Sequence, residues 1–128
     1  MGPDYKIYAI GGFGGPKNSC LQAAERYDVA NDKWEQIADL NIPRRALSAV
    51  ALPDGIYAIG GFDGQNYLSS IEKYDEAKNE WTFISSMNYA RCTLSAIATP
   101  DCQNIYVIGG FDNGPLNTVE KYSVIDDK

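Results

Sequence analysis

The heptapeptide Ile7-Tyr8-Ala9-Ile10-Gly11-Gly12-Phe13 returns unaltered at Ile56 to Phe62 and, with Val107 in place of alanine, at Ile105 to Phe111. Each return comes 49 residues after the one before. A unit used about three times constrains folding more than any single motif, because each copy must bury its apolar surface against its neighbours in the same way. Other residues keep nearly the same clock. Glu25-Arg26-Tyr27-Asp28 returns as Glu72-Lys73-Tyr74-Asp75 and as Glu120-Lys121-Tyr122-Ser123, and Trp34 returns as Trp81, each seven residues after its tyrosine. Leu40-Asn41, Arg44 and Leu47-Ser48-Ala49 return as Met87-Asn88, Arg91 and Leu94-Ser95-Ala96.

A period in the high forties belongs to propeller-type arrays rather than to shorter helical or leucine-rich repeats. Within one unit the order is apolar strand, Gly-Gly, polar loop, Glu-basic-Tyr, turn, Trp, and then Arg ahead of a second small apolar strand. This order resembles the kelch repeat over nearly the whole chain. The short β-branched and aromatic runs closed by Gly-Gly read as buried strands. Leu47 to Leu52 and Leu94 to Thr99 read as the strands before them, joined by Pro53-Asp54-Gly55 and Pro100 to Asn104.

Naming the strands of a unit a to d, the chain runs b-c-d, a-b-c-d, a-b-c. That predicts an all-β fragment of a kelch-type β-propeller, about 2.5 four-stranded antiparallel blades, with repeats over about residues 5–40, 44–87 and 91–125. The next tryptophan falls due immediately after Lys128. Open blade faces and strand edges predict a piece of a longer chain or one that self-assembles, making a homo-oligomer through those edges the alternative.

The diglycines Gly11-Gly12, Gly60-Gly61 and Gly109-Gly110 read as strand ends needing glycine's dihedrals or a close backbone approach. A phosphate-cradling loop would need a helix after the glycines, and Lys17 stands where Gly-x-Gly-x-x-Gly needs its last glycine. Tyr27, Tyr74 and Tyr122, with Trp34 and Trp81, recur at one phase, as packing residues do. The kelch resemblance implies that they sit between blades, near the diglycines.

Function is sought in the loops, because a rigid scaffold carries its binding residues there. Antiparallel strands put the b-c and d-a loops on one face of the disc and the a-b and c-d loops on the other. The second face collects most acidic loop residues, whereas the first carries Lys17, Arg44, Arg45 and Arg91 against Asp63 and Asp112, predicting a mildly basic surface on a chain of net charge −6. Arg44, Arg45 and Arg91 are candidates for bidentate bonds to a partner's carboxylates. Arg44 and Arg91, at equivalent positions, have an alternative: bonding loop carbonyls and fixing the d-a turn. Arg45 has Cys92 as its counterpart and is the better partner contact. In the second b-c loop Gln65, Asn66 and Tyr67 offer an aromatic anchor with adaptable polar neighbours.

The absence of histidine removes the commonest general base, Ser-His nucleophiles and most zinc or copper sites, so no catalytic residue, metal or cofactor is expected. Some proteins of the kelch fold are sugar-oxidising copper enzymes or sugar isomerases; a fragment of such an enzyme would keep its site in other blades. A pI near 4.5 without a basic run argues against nucleic acid, and no apolar run reaches the roughly 18 residues of a membrane span. Cys20, Cys92 and Cys102 lie at unrelated phases, as free thiols of a cytoplasmic protein would.

The resemblance to kelch-like adaptors implies a non-catalytic module that binds a protein segment, often an acidic one, through its b-c and d-a loops and selects substrates for a cullin-based ubiquitin ligase. A scaffold that binds actin or another filament is the rival reading.

Overall fold

The computed structural model describes residues 6–128; residue 5, where the first repeat is expected to open, lies outside them. The strands are Ile7–Ile10 (β1), Phe13–Gly14 (β2), Ser19–Cys20 (β3), Ala24–Asp28 (β4), Lys33–Ile37 (β5), Ser48–Leu52 (β6), Gly55–Ile59 (β7), Ile71–Asp75 (β8), Glu80–Phe83 (β9), Ser95–Ala98 (β10), Asn104–Ile108 (β11) and Val119–Ser123 (β12). They form antiparallel sheets β1-β4-β5, β6-β7-β8-β9 and β10-β11-β12, the b-c-d, a-b-c-d, a-b-c series that the repeat predicts. We call these blades one to three. The β2-β3 ladder was not foreseen: the first b-c loop is long enough for Phe13 to pair with Cys20 and Gly14 with Ser19.

Nearly the same tetrapeptide meets different surroundings in each blade. Tyr57, Ala58 and Ile59 of the middle blade are buried on both faces of the sheet, while Ile7 in β1 and Ile108 in β11 keep 57% and 45% of their surface exposed. Two apolar layers separate the three sheets. Ala24, Ile37 and Leu40 meet Ala58, Tyr74 and Trp81 between blades one and two. Val50, Tyr57, Ile59 and Ile71 meet Ile105, Val107 and Tyr122 between blades two and three.

The recurring aromatics therefore divide by neighbour. Trp81 pairs with Tyr74 in register, packs on its ring at 5.1 Å and donates Nε1–H to the Ala38 carbonyl at 2.8 Å, so one side chain joins blade two to blade one. Trp34 makes the matching contact with Tyr27 at 5.2 Å, but among the described residues no blade faces it and it is 48% exposed. Tyr74, Trp81 and Tyr122 lie in the layers between blades, whereas Tyr27 and Trp34 have no second sheet opposite them among the described residues: phase in the repeat sets the position of an aromatic, and its burial depends on whether another sheet lies opposite.

A polar clasp accompanies each aromatic layer. The Asn79 Oδ1 accepts the Tyr74 hydroxyl at 2.7 Å and the Ala38 N–H of blade one at 2.9 Å. Asp127 repeats the arrangement, taking the Tyr122 hydroxyl at 2.8 Å and the Ser85 N–H at 3.0 Å. Both residues are left-handed, φ 50° and 53°, as is Asp32 at φ 51°, which accepts the Tyr27 hydroxyl. Only short Asx side chains combine tolerance of that conformation with an acceptor so close to the backbone.

Two predictions follow from these layers. Trp81→Ala is expected to lower unfolding free energy by about 3–5 kcal/mol in denaturant titration, and Trp34→Ala by less than about 1 kcal/mol. The Ser85 N–H, and after it the Tyr122 hydroxyl, holds the Asp127 carboxyl below its ordinary range. A depressed carboxyl contributes stability that is complete above its unfolded pKa, near 4, and is lost as pH falls through the lower folded value. Asp127→Asn keeps both acceptor bonds, as Asn79 does, so thermal melts between about pH 5 and 2 should lose part of their acid sensitivity in that variant.

Candidate functional site

Arg44 and Arg91 lie at the d-a turns with no exposed surface, so the expectation that they meet a partner is corrected. Each joins two blades. The Arg44 N–H donates to Leu21 O at 3.0 Å and its carbonyl accepts the Gly12 N–H at 2.6 Å, both in blade one. Its guanidinium points into blade two, donating to Gly60 O at 2.9 Å, Ser70 O at 2.9 Å and Glu72 through Nε at 3.1 Å and Nη2 at 2.9 Å. Arg91 repeats this one blade on, toward Gly109 O at 2.8 Å, Thr118 O at 3.0 Å and Glu120 at 2.9 Å.

The glycines are explained by the same turn. Gly60 has φ 63°, and a Cβ there would sit 2.5 Å from the Arg91 carbonyl oxygen. Any side chain would push the arginine-bearing turn away.

Glu72 is the partner that the loop argument did not identify. Fully buried, it also accepts the N–H groups of Asn41 at 2.7 Å and Ile42 at 3.2 Å. Burial pushes the Arg44 guanidinium pKa down, and the bond to Glu72 opposes that. The sequence carried a signal in the glutamate that precedes every Arg/Lys-Tyr pair. Arg91 is less completely held, since its Nε has no partner.

With two cations internal, the b-c/d-a face retains Lys17 and Arg45 against Asp63 and Asp112, so it is not net basic on these residues. The feature on that face is instead a line of packed side chains, whose aromatic rings meet tilted or edge-on at 51° and 61°. The Arg45 guanidinium carbon lies 4.9 Å from the Phe13 ring and 5.1 Å from the Phe62 ring. Phe62 continues to Tyr67 at 5.1 Å, and Tyr67 to Phe111 at 5.8 Å. The backbone sets this order: Arg45 and Phe62 exchange N–H···O bonds of 2.9 Å, and Phe62 bridges to Tyr67.

The stack crosses all three blades. Hollows of about 450 Å³ and 250 Å³ flank Arg45, the first toward Phe13 and Cys20, the second toward Tyr67 and Cys92. Among the described residues the Arg45 guanidinium has no hydrogen-bond acceptor, whereas Phe13 and Phe111 are 51% and 37% exposed.

The other candidates surround this stack. Gln65 and Asn66 form an exposed turn around Asp63, whose carboxylate accepts their N–H groups at 2.8 and 2.7 Å and is held below its ordinary pKa by those bonds, that from Asn66 being the larger cause. Lys17 is exposed at the tip of the β2-β3 hairpin. Sequence reasoning missed Phe13, Phe62 and Phe111 as site residues, although each follows Gly-Gly in its unit. Among the described residues no group of His, Cys, Asp or Glu is placed to hold a metal ion, no helix is long and apolar enough to cross a membrane, and the three cysteines are unpaired.

The kelch motif model matches residues 3–41, 43–88 and 99–128. The chain belongs to the kelch-repeat family. Its three sheets are accordingly blades of a kelch β-propeller. Among curated proteins, Kelch-like protein 1 of Mus musculus is 45% identical over 51 residues, 40% of this kelch chain and 7% of that protein. A kelch repeat and BTB domain-containing protein of Caenorhabditis elegans is 40% identical over 60 residues, 47% of the chain and 10% of the relative. The influenza virus NS1A-binding protein homolog of Xenopus laevis is 41% identical over 61 residues, 48% of the chain and 9% of the relative. The kelch segment thus matches no more than a tenth of the length of these relatives.

The neighbouring arginines are expected to behave oppositely. Arg44→Met leaves the Glu72 carboxylate buried without its cation and should destabilise the chain by about 3–5 kcal/mol. Arg45→Met keeps an unbranched stem between Phe13 and Phe62 and should cost less than about 1 kcal/mol. Urea titration of the two variants checks the contrast.

Proposed function

We propose that this kelch segment is a non-catalytic protein-interaction module that takes an extended partner segment across its b-c and d-a loops, centred on Arg45, Phe62 and Tyr67. The observation that carries the reading is the Arg45 guanidinium, held between two phenyl rings at 4.9 and 5.1 Å with no acceptor among the described residues. An arginine so positioned loses little freedom on binding, and arginine beside aromatic residues is the composition of interface hot spots. A partner carboxylate suits its planar donors, while Phe13 and Phe111 offer apolar contact on either side. Lys17, Gln65 and Asn66 flank the segment. Arg44 and Arg91 support the surface from beneath.

The partner chemistry is therefore a short segment with one acidic side chain flanked by apolar ones. For the whole protein, family membership and the BTB domain in one relative's printed name support a substrate-recognition role in a cullin-based ubiquitin ligase, in the cytoplasm. Further blades, or a second copy, would cover the open sheet faces that expose Trp34 and Ile97.

Peptides selected from a displayed proteome library against this chain should bind at least about tenfold, or 1.4 kcal/mol, more weakly to Arg45→Glu and Tyr67→Ala. Their melting temperatures should stay close to the parent's, and Lys78→Glu, on the opposite face, should bind unchanged. Affinity loss that merely tracks lost stability, or an equal effect at Lys78, would refute the assignment. Failure of the full-length gene product to copurify with a cullin would count against the adaptor role alone.

A further inference from the structure

Three turns of this chain pair an acidic or amide side chain with a following glycine: Asp54-Gly55, Asp63-Gly64 and Asn113-Gly114. Such a pair is chemically vulnerable, because glycine has no Cβ to keep its amide nitrogen away from the side-chain carbonyl carbon of the residue before it. The fold restrains the first two. The Asp54 carboxylate accepts the Tyr57 hydroxyl at 3.1 and 3.0 Å and the Lys73 ammonium at 2.8 Å, and Gly55 is already paired with Leu52 in the β6-β7 ladder. The Asp63 carboxylate reaches past Gly64 to the N–H groups of Gln65 at 2.8 Å and Asn66 at 2.7 Å, bonds that keep it ionised, and a carboxylate anion is a poor electrophile.

Asn113 escapes both restraints. It is exposed in the third b-c loop, left-handed at φ 60°, and its side-chain amide is uncharged. Among the described residues that amide makes one hydrogen bond, from Nδ2 to the Asp112 Oδ1 at a long 3.4 Å, and the Gly114 N–H has no acceptor. We propose that Asn113 is a site of spontaneous deamidation and isoaspartate formation in the folded chain. Solvent base removes the Gly114 N–H proton, the nitrogen electron pair forms a bond to the Asn113 Cγ, and the side-chain nitrogen leaves with a proton from water as ammonia. Water then opens the cyclic imide. Addition at Cγ gives aspartate at position 113, and addition at the main-chain carbonyl carbon gives isoaspartate, with the chain rerouted through the former side chain. Either product sets a second carboxylate beside Asp112. Isoaspartate also inserts a methylene between Phe111 and Pro115, whose bridge closes the loop below the Tyr67 contact. The chemistry does not depend on what the Arg45 face binds.

Gly114 is not left-handed, and a Cβ there would meet nothing within 4 Å, so Gly114→Ala keeps the loop while hindering the nitrogen. The native chain, aged in mildly alkaline buffer at physiological temperature, is digested and mapped by mass, with isoaspartate scored by enzymatic methyl transfer from S-adenosylmethionine. Conversion is expected at Asn113 with release of ammonia, faster at higher pH, and not at Asp54 or Asp63. A free peptide of residues 111–116 should convert within about tenfold of the native rate. Gly114→Ala should react at least several-fold more slowly with an unchanged melting temperature, and Asn113→Gln, which would need a larger ring, should not react on the same timescale. A native chain that keeps Asn113 intact while the free peptide converts, an unchanged rate in Gly114→Ala, or isoaspartate at Asp63 ahead of Asn113 overturns the proposal.

Discussion

The buried arginine at each d-a turn is the contact on which the rest of this kelch segment depends. Its main chain is hydrogen-bonded into one blade and its side chain into the next. Arg44 with Glu72 has no solvent-exposed side-chain surface, so neither charge is tolerable without the other. That requirement fixes the diglycine carbonyl, the Asn41 and Ile42 N–H groups and the start of the following strand around one cation. The apolar layers supply area, but apolar contact is non-directional. The guanidinium, with its rigid fork of donors, sets how far one sheet is rotated against its neighbour.

Much of this was legible in the chain because it recurs. The b strands, the diglycines and the Tyr-Trp pairs lie on a common period, and periodicity reveals position without knowledge of contacts. What the period does not carry is which side of a sheet has a neighbour. Trp34 and Trp81 occupy identical phases and differ several-fold in exposure because only Trp81 faces another blade. Arg44 and Arg91 were ambiguous for a related reason: a cation in a loop reads as surface until its acid is located, and Glu72 is 28 residues away on a different strand. The stacked face was half visible. Arg45 and Tyr67 stood out as departures from the repeat, while the phenylalanines between them were hidden by belonging to it.

That contrast separates scaffold from site. Residues that recur at every phase hold the blades together, and residues that break the pattern give the face its individuality. Arg45 and Cys92 share a phase and share the backbone bridge to the following Gly-Gly-Phe, but only one of them places a cation between two rings. The periodic phenylalanines provide a row of similar platforms, and the aperiodic side chains inserted among them decide what each platform presents.

The two-blade reach of the arginine also makes the array directional. If blade three detaches, the Arg91 cation remains in a pocket that has lost Glu120 and two carbonyl acceptors. If blade one detaches, the Arg44 guanidinium keeps Glu72, Gly60 and Ser70, and that residue forfeits only its main-chain bonds to Leu21 and Gly12. With respect to this contact alone, the first blade is the cheaper one to detach, so amide protons of β1 and β4 should exchange ahead of those in β11 and β12.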